Sequence, residues 1–458
     1  MSSQEKSASF LVRLFPLLGH KNIPWRREIL AGLTTFLTMS YIIAVNPQIL
    51  GETGMDPGAL VTATCLAAAI GCFLMGFIAD LPFALASGMG LNAFFAYSVV
   101  IKQSIPWEVA LTAVFIEGII FIFLTLFKVR EAVVNSIPQN MKLAVTGGIG
   151  LFIAMVGFSS SGLIVQNDAT MVSMGAFHVT TIITCLGVLL IAVLDKLNIH
   201  GSILIGIASC SILAWVYAIV SPKAAADLGI YLPTGILKFE SISPIAGKLA
   251  WGHLLDFEMF QSLFIIIVTF LFVDFFDTVG TLVGVSTKAG MLDEQGRVPR
   301  VGRALMSDAL ATTAGAALGV STVTTFVESS TGVLAGGRTG VTAITTGCFF
   351  LAAMFFSPIF IAIPACATAP ALIYVGYLML TSVKGIDLFN ITEGMPAFIT
   401  IAAMPLTYSI GDGLTLGVLS YVFINLIYNI FAPKEKREPV SWVMIILAAL
   451  FVVKFIFM

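Results

Sequence analysis

The chain has 458 residues, of which 58% are hydrophobic and only 10% carry a charge, and its mean hydropathy is +1.01. Soluble domains carry about 25% charged residues, so this composition excludes an ordinary water-soluble protein. The net charge of −2 indicates no particular partner, and we expect no nucleic acid. The six cysteines lie in apolar stretches without metal-ligand spacing, and we expect neither a metal nor another cofactor.

Continuous apolar runs recur along the chain, for example at 260–276, 348–369 and 440–458. They approach or exceed the roughly 18 apolar residues that are typical of a spanning helix. Continuous runs, rather than short alternating ones, favour helices over a membrane β-barrel. The N-terminal segment 1–28 shows neither an apolar core nor a cleavage site, so we expect it to be cytoplasmic rather than a signal peptide.

The predicted fold is an all-α polytopic membrane protein with about fourteen transmembrane spans. The hydrophobic segments are 29–49, 59–79, 84–101, 107–127, 141–158, 177–194, 201–220, 260–285, 304–320, 328–341, 343–363, 366–383, 395–431 and 441–457. The segment 395–431 is long enough to form two pieces, which we expect to separate at Gly411-Asp412-Gly413. The polar stretch 221–256 is predicted to be an extramembrane connector between two halves, 29–220 and 257–458.

Segments three and ten are short, and both begin irregularly. Segment three opens with the Pro- and Gly-containing stretch 81–90, and segment ten opens with the β-branched run 321–327. Interrupted segments at matching places in two halves point to the midplane site of a secondary transporter. The sequence therefore predicts two broken half-helices preceded by short strands, with the binding site beside them.

The basic residues predict the orientation of the chain in the membrane. Two groups are rich in Lys and Arg: Lys21, Arg26 and Arg27 before the first span, and Lys288, Arg297, Arg300 and Arg303 after segment eight. Cytoplasmic loops carry an excess of these residues, so both groups are expected inside. Eight crossings return the chain to the same side, which is consistent with a cytoplasmic N-terminus.

Segment eight carries two acidic residues, Asp274 and Asp277. A charged group costs about 2.5–3.5 kcal/mol in a membrane span, so each is a candidate functional residue. Their spacing of three places both on one helical face, with Thr281 one turn beyond Asp277. Two carboxylates so close do not both ionise cheaply, and one is expected to hold a proton during transport. The alternative is a structural cap or a hydrogen bond between helices.

Segments ten and three supply further polar candidates. Glu328 stands where the strand-like run meets a short helix, and Ser329 is a good N-cap residue, so free N–H groups and a positive dipole end are expected there. Asn92 offers both a donor and an acceptor, and Phe94 could stack on a planar ring. The alternatives are a purely capping glutamate, an asparagine that joins helices, and a phenylalanine facing lipid or core.

Three other charged residues are predicted to have structural roles. Glu117 lies in the middle of segment four and either faces the same interior or pairs structurally. Asp308 and Arg338 are expected to pair with each other or with backbone carbonyls.

At these residues the sequence resembles the AzgA-like purine permeases, a branch of the nucleobase–cation symporters. The motifs are Ala31-Gly32-Leu33-Thr34-Thr35-Phe36-Leu37-Thr38-Met39, Gly90-Leu91-Asn92-Ala93-Phe94-Phe95, Phe276-Asp277-Thr278-Val279-Gly280-Thr281-Leu282, and Glu328-Ser329-Ser330-Thr331-Gly332-Val333 continuing through Gly336-Gly337-Arg338-Thr339-Gly340. The resemblance runs from about residue 20 to the C-terminus. Together these motifs are specific, although none is specific alone.

The resemblance implies a fold of two inverted seven-span repeats. Residues 29–127 and 260–363 would form a mobile core, and 141–220 and 364–458 would form a gate. The substrate would lie between core and gate, near the half-helices of spans three and ten, and would be carried by an elevator-like movement of the core.

The resemblance also implies roles for individual residues. The base would be held by acidic residues of spans eight and ten, Asp277 and Glu328, and by Asn92 of span three. Thr281 aligns with a histidine of the related uracil permeases, and Asp274 would tune the proton affinity of Asp277. The predicted substrate-binding residues are Asp277, Glu328, Asn92, Thr281, Phe94 and Ser329, and the predicted proton-coupling residues are Asp277, Asp274 and Glu328.

The expected function is import of adenine, guanine or hypoxanthine by proton symport across the cell membrane. No catalytic motif is present, so an enzyme is not expected. An anion carrier for sulfate or bicarbonate with the same overall fold, and a uracil or xanthine permease, are the rivals; two or three acids at the site disfavour an anion. A channel is a further alternative, and sodium coupling and a homodimer are left open.

Overall fold

The computed structural model describes residues 24–127, 137–252, 257–288, 290–291, 298–433, 435 and 437–457. Four of the sequence predictions therefore lie wholly or partly outside the described residues: those for Lys21, for Arg297, for 1–23 of the N-terminal segment and for 253–256 of the connector. Within the described part, nine helical stretches are long and apolar enough to cross a membrane, and three shorter apolar helices accompany them. The chain is an all-α polytopic membrane protein, as predicted.

The helices and strands follow in this order along the chain. The first half contains α1 (Trp25–Met39), α2 (Ile42–Gly51), α3 (Pro57–Leu74), β1 (Leu85–Ser87), α4 (Met89–Ala93, continued by a π-helix at Phe94–Ile101), α5 (Trp107–Leu126), α6 (Gln139–Ser160), β2 (Ile164–Asn167), β3 (Met171–Met174), α7 (Val179–Lys196), α8 (Ser202–Val220) and α9 (Pro222–Asp227). The second half contains α10 (Phe257–Lys288), α11 (Val301–Leu318), β4 (Val323–Thr325), α12 (Ser329–Leu334), α13 (Gly340–Ala353), α14 (Ser357–Ile361), α15 (Ala365–Leu380), α16 (Ile391–Thr407), α17 (Ile410–Phe431) and α18 (Trp442–Phe457).

Two predicted segment boundaries were wrong. The stretch 395–431 does form two helices, but it breaks at Tyr408, whose φ is +53°, and not at Gly411-Asp412-Gly413. The hydroxyl of Ser409 accepts a hydrogen bond from the backbone N–H of Asp412 and so begins α17 three residues downstream of α16. The predicted boundary between segments ten and eleven, at 341–343, also lies too far along the chain. Thr339 caps α13, which therefore begins at Gly340.

The strands β1 and β4 pair antiparallel and join the two halves of the chain. The register aligns Leu85 with Thr325 and Ser87 with Val323. The pairing is extended at one end by a hydrogen bond of 3.0 Å from the N–H of Gly88 to the carbonyl of Thr322. Each strand is followed at once by a short helix, α4 or α12, as predicted for segments three and ten. The pair gives extended backbone the partners that lipid does not provide.

The helices form two bundles. In the first bundle, α1, α3 and α5 pack against α11, α12 and α13, and α10 packs against α5. In the second bundle, α6 packs against α15 and α16, α7 and α8 pack against α15, and α17 packs against α16 and α18. The bundles meet where α6 and α17 contact α4 and α10, on the side where the strand pair gives way to its helices.

The first sequence motif is explained by the packing of α1 on α12 and α13. A Cβ on Gly32 would lie 2.6 Å from the carbonyl oxygen of Thr342, so the two helix backbones are in close contact. A side chain at Gly332 would collide with Thr35. The hydroxyl of Thr38 lies 2.9 Å from that of Thr331. The small and hydroxylated residues of this motif therefore fix α1 beside the half-helix α12.

The close approach of the strands at Gly88 gives a test of this arrangement. A Cβ on Gly88 would lie 2.6 Å from Cγ2 of Thr324, so Gly88→Ala should lower the stability by about 1–3 kcal/mol through overpacking. Thermal unfolding in detergent measures the loss. Thr324→Ser removes only the obstructing methyl group, and in the double variant it should restore most of the lost stability.

The matched control is Gly284→Ala on α10, where nothing lies within 4 Å of the added Cβ and the midpoint should not fall. A Gly88→Ala protein as stable as the wild type, or a double variant no better than Gly88→Ala alone, would contradict the packing described.

Candidate functional site

Asp277 and Glu328 both lie close to the strand pair. Asp277 lies on α10, and its Oδ2 is 3.8 Å from the position of a Cβ on Gly88, the residue after β1. Glu328 is the N-cap residue of α12, three residues after β4. Asp277 lies within electrostatic range of Glu328 and of Asp308. Both Asp277 and Glu328 are only partly buried, whereas Asp274 and Asp308 are fully buried.

Glu328 is held by a tyrosine that the sequence reasoning missed. The hydroxyl of Tyr41 donates a hydrogen bond of 2.6 Å to Oε1 of Glu328. Tyr41 stands at the interruption between α1 and α2 and is 1% exposed. The available signal was a tyrosine two residues after the first motif, inside a predicted membrane span.

Asn92 is fully buried on α4 and presents a free donor. Its Oδ1 accepts a hydrogen bond of 2.7 Å from the hydroxyl of Ser87, the last residue of β1. Its Nδ2 has no hydrogen-bond partner among the residues that the structure describes. A buried donor without a partner costs about 1–3 kcal/mol, which a bound acceptor would offset. Ser87 was not identified from the sequence, because nothing in its local pattern shows which side chain it meets.

The second acidic residue of α10 lies in a polar network inside the first bundle. The hydroxyl of Thr278 lies 3.2 Å from Oδ1 of Asp274, 3.0 Å from Oδ1 of Asp308 and 2.8 Å from the hydroxyl of Thr324. All four residues are buried. The network joins α10, α11 and β4. Asp274 therefore contacts residues of the bundle interior, while Asp277 lies beside Gly88 at the start of α4.

The other three predicted site residues lie around this centre with different contacts. Thr281 is buried one turn beyond Asp277. The expectation that Ser329 caps α12 was wrong: it is the first helical residue, and its hydroxyl accepts a hydrogen bond of 2.9 Å from the N–H of Ala84. The ring of Phe94 lies edge-on to Phe270 at a centroid distance of 4.9 Å.

Phe94 also lies at the junction of the two bundles. A Cβ on Gly411 of α17 would be 3.1 Å from its ring, and the residue is 3% exposed. The ring is thus packed between α10 and the second bundle.

Glu117 and Arg338 make contacts of the structural kind. Glu117 is buried and accepts a hydrogen bond of 3.2 Å from Thr322, just before β4. Arg338 donates to the carbonyl oxygens of Val333 and Gly337 at 2.5 and 2.7 Å, which is one of the two alternatives predicted for it. These contacts stabilise the two ends of the segment that carries Glu328.

A buried glutamate of α1 caps α13. Glu28 is fully buried, and its carboxylate accepts the backbone N–H groups of Arg338 and Thr339 at 2.9 and 3.2 Å and the hydroxyl of Thr342 at 2.5 Å. A carboxylate satisfies the free N–H groups and the positive dipole end of a helix N-terminus. This role was missed because residue 28 was assigned to the N-terminal segment outside the membrane.

A second carboxylate completes the same cap. Oδ1 of Asp80 accepts the N–H of Gly340 at 2.8 Å, and its Oδ2 forms a salt bridge of 3.2 Å with Arg300. The start of α1, the start of α11 and the start of α13 therefore lie on one side of the molecule. Of the basic residues predicted to be cytoplasmic, Arg27 and Arg300 lie beside this cap, at Ala335 and Asp80 respectively.

The residues around the strand pair offer both acceptors and a donor. Asp277 and Glu328 supply carboxylate oxygens, and Asn92 supplies an amide N–H pair beside the strands that position them. Such a set complements a planar ligand that carries both N–H groups and an acceptor. Within the described residues no group of three or more His, Cys, Asp or Glu side chains is arranged to hold a metal ion.

Comparisons with known sequences give close relatives. A family model described as "Permease family", of the xanthine/uracil permease type, matches residues 26–414. The chain is 40% identical to the adenine permease AdeP of Escherichia coli, over 100% of this chain and 98% of that one. It is 44% identical to the guanine/hypoxanthine permease PbuG of Bacillus subtilis, over 95% of this chain and 97% of that one. A putative permease of Methanocaldococcus jannaschii is 45% identical over 94% of this chain and 95% of that one.

Solved structures share the fold at much lower identity. The transmembrane domain of the cyanobacterial bicarbonate transporter BicA superimposes with a TM-score of 0.61 at 14% identity, covering 86% of this chain and 97% of that one. The inward-facing structure of the murine Solute Carrier 26 family member A9 anion transporter gives 0.61 at 11% identity, covering 92% and 72%. These likenesses show the fold alone. The match over residues 26–414, with relatives at 40–45% identity along nearly the whole chain, shows that this protein belongs to the xanthine/uracil permease family of membrane transporters and is not an enzyme.

Proposed function

We propose that this protein is a secondary transporter that imports a purine nucleobase, adenine, guanine or hypoxanthine. The observation that carries the proposal is the placement of two partly buried carboxylates, Asp277 beside Gly88 and Glu328 just after β4, around the strand pair that also positions the buried amide of Asn92. A purine carries N–H groups and ring or carbonyl acceptors on one rigid plane. The names of the adenine and guanine/hypoxanthine permeases among its relatives support the same substrate class.

In the proposed mechanism the first bundle is a mobile core and the second is a gate, arranged as fourteen spans in two inverted repeats. Small residues line the junction of the bundles: a Cβ on Gly90 would meet Ile149, and one on Gly280 would meet the hydroxyl of Thr146. On the gate side, Gly411 likewise lets the ring of Phe94 pack closely against α17. Smooth helix surfaces allow close packing and sliding, which an elevator movement needs. Thr281, Phe94 and Ser329 would complete the walls of the site.

The coupling ion in this proposal is a proton. Two carboxylates in a water-poor site repel each other, and protonation of Asp277 would relieve this repulsion before the base binds. Asp274 would tune that proton affinity through the Thr278 network. The charged side formed by Glu28, Asp80 and Arg300 would face the cytoplasm, because cytoplasmic loops are rich in basic residues.

The acidic pair distinguishes a nucleobase from the rival substrate class, inorganic anions. Two solved structures that share the fold are those of a bicarbonate transporter and of an anion transporter. An anion placed beside Asp277 and Glu328 would be repelled unless both were protonated. A uracil or xanthine permease is the nearer rival, because a smaller base or a second carbonyl would use the same acceptors and donor.

Substitution of the two acids tests the binding site. Asp277→Asn and Glu328→Gln keep the shape of each side chain but replace a carboxylate oxygen with a donor that opposes the N–H groups of the base. Uptake of labelled purine by cells should fall about ten- to a hundredfold, since each loss removes a charge-assisted hydrogen bond of about 1.5–3 kcal/mol. Asp168→Asn, at an exposed acid outside the bundles, is the control. Near-normal uptake by both site variants at normal expression would contradict the assignment.

A substrate panel tests the substrate class and the coupling ion. Labelled adenine, guanine, hypoxanthine, xanthine and uracil are compared at two pH values, with and without sodium and an uncoupler. We expect at least one of the first three to be accumulated fastest, faster at the lower external pH, and the uncoupler to abolish accumulation. If sulfate inhibits uptake and purines do not, the anion carrier is favoured. If uptake depends on sodium at constant pH, the coupling ion is sodium and not a proton.

A further inference from the structure

The tyrosine that contacts Glu328 is rigidly placed. Tyr41 follows α1 by two residues, and its carbonyl accepts the N–H groups of Ala44 and Val45 at 3.0 Å, which anchors it to the start of α2. Its side chain is 1% exposed. The preceding helix is fixed to α12 by the hydroxyl contact of 2.9 Å between Thr38 and Thr331. The phenol and the carboxylate are therefore held by elements that pack directly on each other.

The hydrogen bond from Tyr41 makes the two carboxylate oxygens of Glu328 inequivalent. A phenol has one hydrogen to donate, and a carboxylate accepts it in a short, strong bond. The 2.6 Å contact engages Oε1. Tyr41 is fully buried and Glu328 is partly buried, so the carboxylate is anchored on its buried, Tyr41 side. Oε2 is not the oxygen that Tyr41 engages, and it is the oxygen that we assign to a ligand.

A glutamate side chain has several rotatable bonds, and a free carboxylate would sample many orientations. Fixing one oxygen removes that freedom before the ligand arrives, and a preorganised acceptor binds more tightly than a mobile one. Tyr41 lies at the junction between α1 and α2, from which its hydroxyl reaches Glu328.

We propose that Tyr41 is a positioning residue of the base site, which aims Oε2 of Glu328 at one N–H group of the purine and so contributes to the choice of base. The inference rests on the proposed function, because it names a further determinant of the same site. Tyr41 acts through Glu328 and is not itself placed against the ligand.

Tyr41→Phe removes the hydroxyl and keeps the ring. The KM for the preferred purine should rise about tenfold, while the maximal rate at normal expression changes much less, because an aimed acceptor contributes to binding rather than to the movement of the core. Tyr421→Phe, at a tyrosine buried to a similar degree on α17 of the other bundle, is the matched control and should leave the KM unchanged.

A panel of N-methylated purines separates aiming from a general structural effect. In the wild type one methyl position should weaken competition most, because it blocks the N–H that Glu328 accepts. In Tyr41→Phe the ratio of parent to methylated affinity should shrink by about tenfold, since the parent base alone loses the contact. An equal loss for every base, with the ratio unchanged, would overturn the proposal.

Glu328→Asp gives a second route should Tyr41→Phe be poorly folded. The shorter side chain withdraws the carboxylate from Tyr41 but keeps its charge, so the same discrimination ratio should shrink. A ratio that survives in Glu328→Asp overturns the inference about Tyr41. Wild-type protein that neither transports nor binds any purine would instead refute the proposed function, so the two failures are distinguishable.

Discussion

The arrangement depends on the backbone pairing of β1 with β4. Within a membrane, every N–H and carbonyl group of an extended segment needs a partner in the protein. Neither three-residue strand could be stable alone in lipid, but each satisfies the other, and each ends where a short helix begins. This pairing is what allows two helices to start inside the molecule, and it places Asn92 and Glu328 near the same point of α10.

Close contacts around the strand pair convert that pairing into a site. Gly88 lets the chain after β1 approach Thr324, and the same approach brings Asp277 to the start of α4. On the other side of β4, the Thr278 network holds α10 and α11 against the strand. Asp277 and the amide of Asn92 are thus held in place by close packing and hydrogen bonds around the strand pair.

Much of this was predictable from the sequence because lipid imposes strong constraints. Continuous apolar runs predicted the helical membrane fold, and the Pro-, Gly- and β-branched openings of segments three and ten predicted the strands and half-helices. The acids at 277 and 328 stood out because charges in apolar segments are rare. Their grouping with Asn92 was an implication of the family resemblance, and it stays a prediction about the substrate site.

The rest depended on contacts between residues far apart in the chain. Tyr41 and Glu328 are 287 residues apart, and Glu28 and Arg338 are 310 apart, so no local pattern links them. Ser87 is close to Asn92 in sequence, but only the turn from strand to helix makes their side chains meet. The break at Tyr408 was predicted too far along the chain, because Gly411 and Gly413 were expected to break the helix. Ser409 caps the new helix instead, and Gly411 allows close packing.

The central claim is that one purine ring is held jointly by the two acids and the buried amide. An experimental structure of the protein with its preferred base bound tests this most directly. The account predicts the ring between α4 and α12, within hydrogen-bonding distance of Asp277, Glu328 and the Nδ2 atom of Asn92. A base bound elsewhere, with these three side chains contacting only protein, would contradict it.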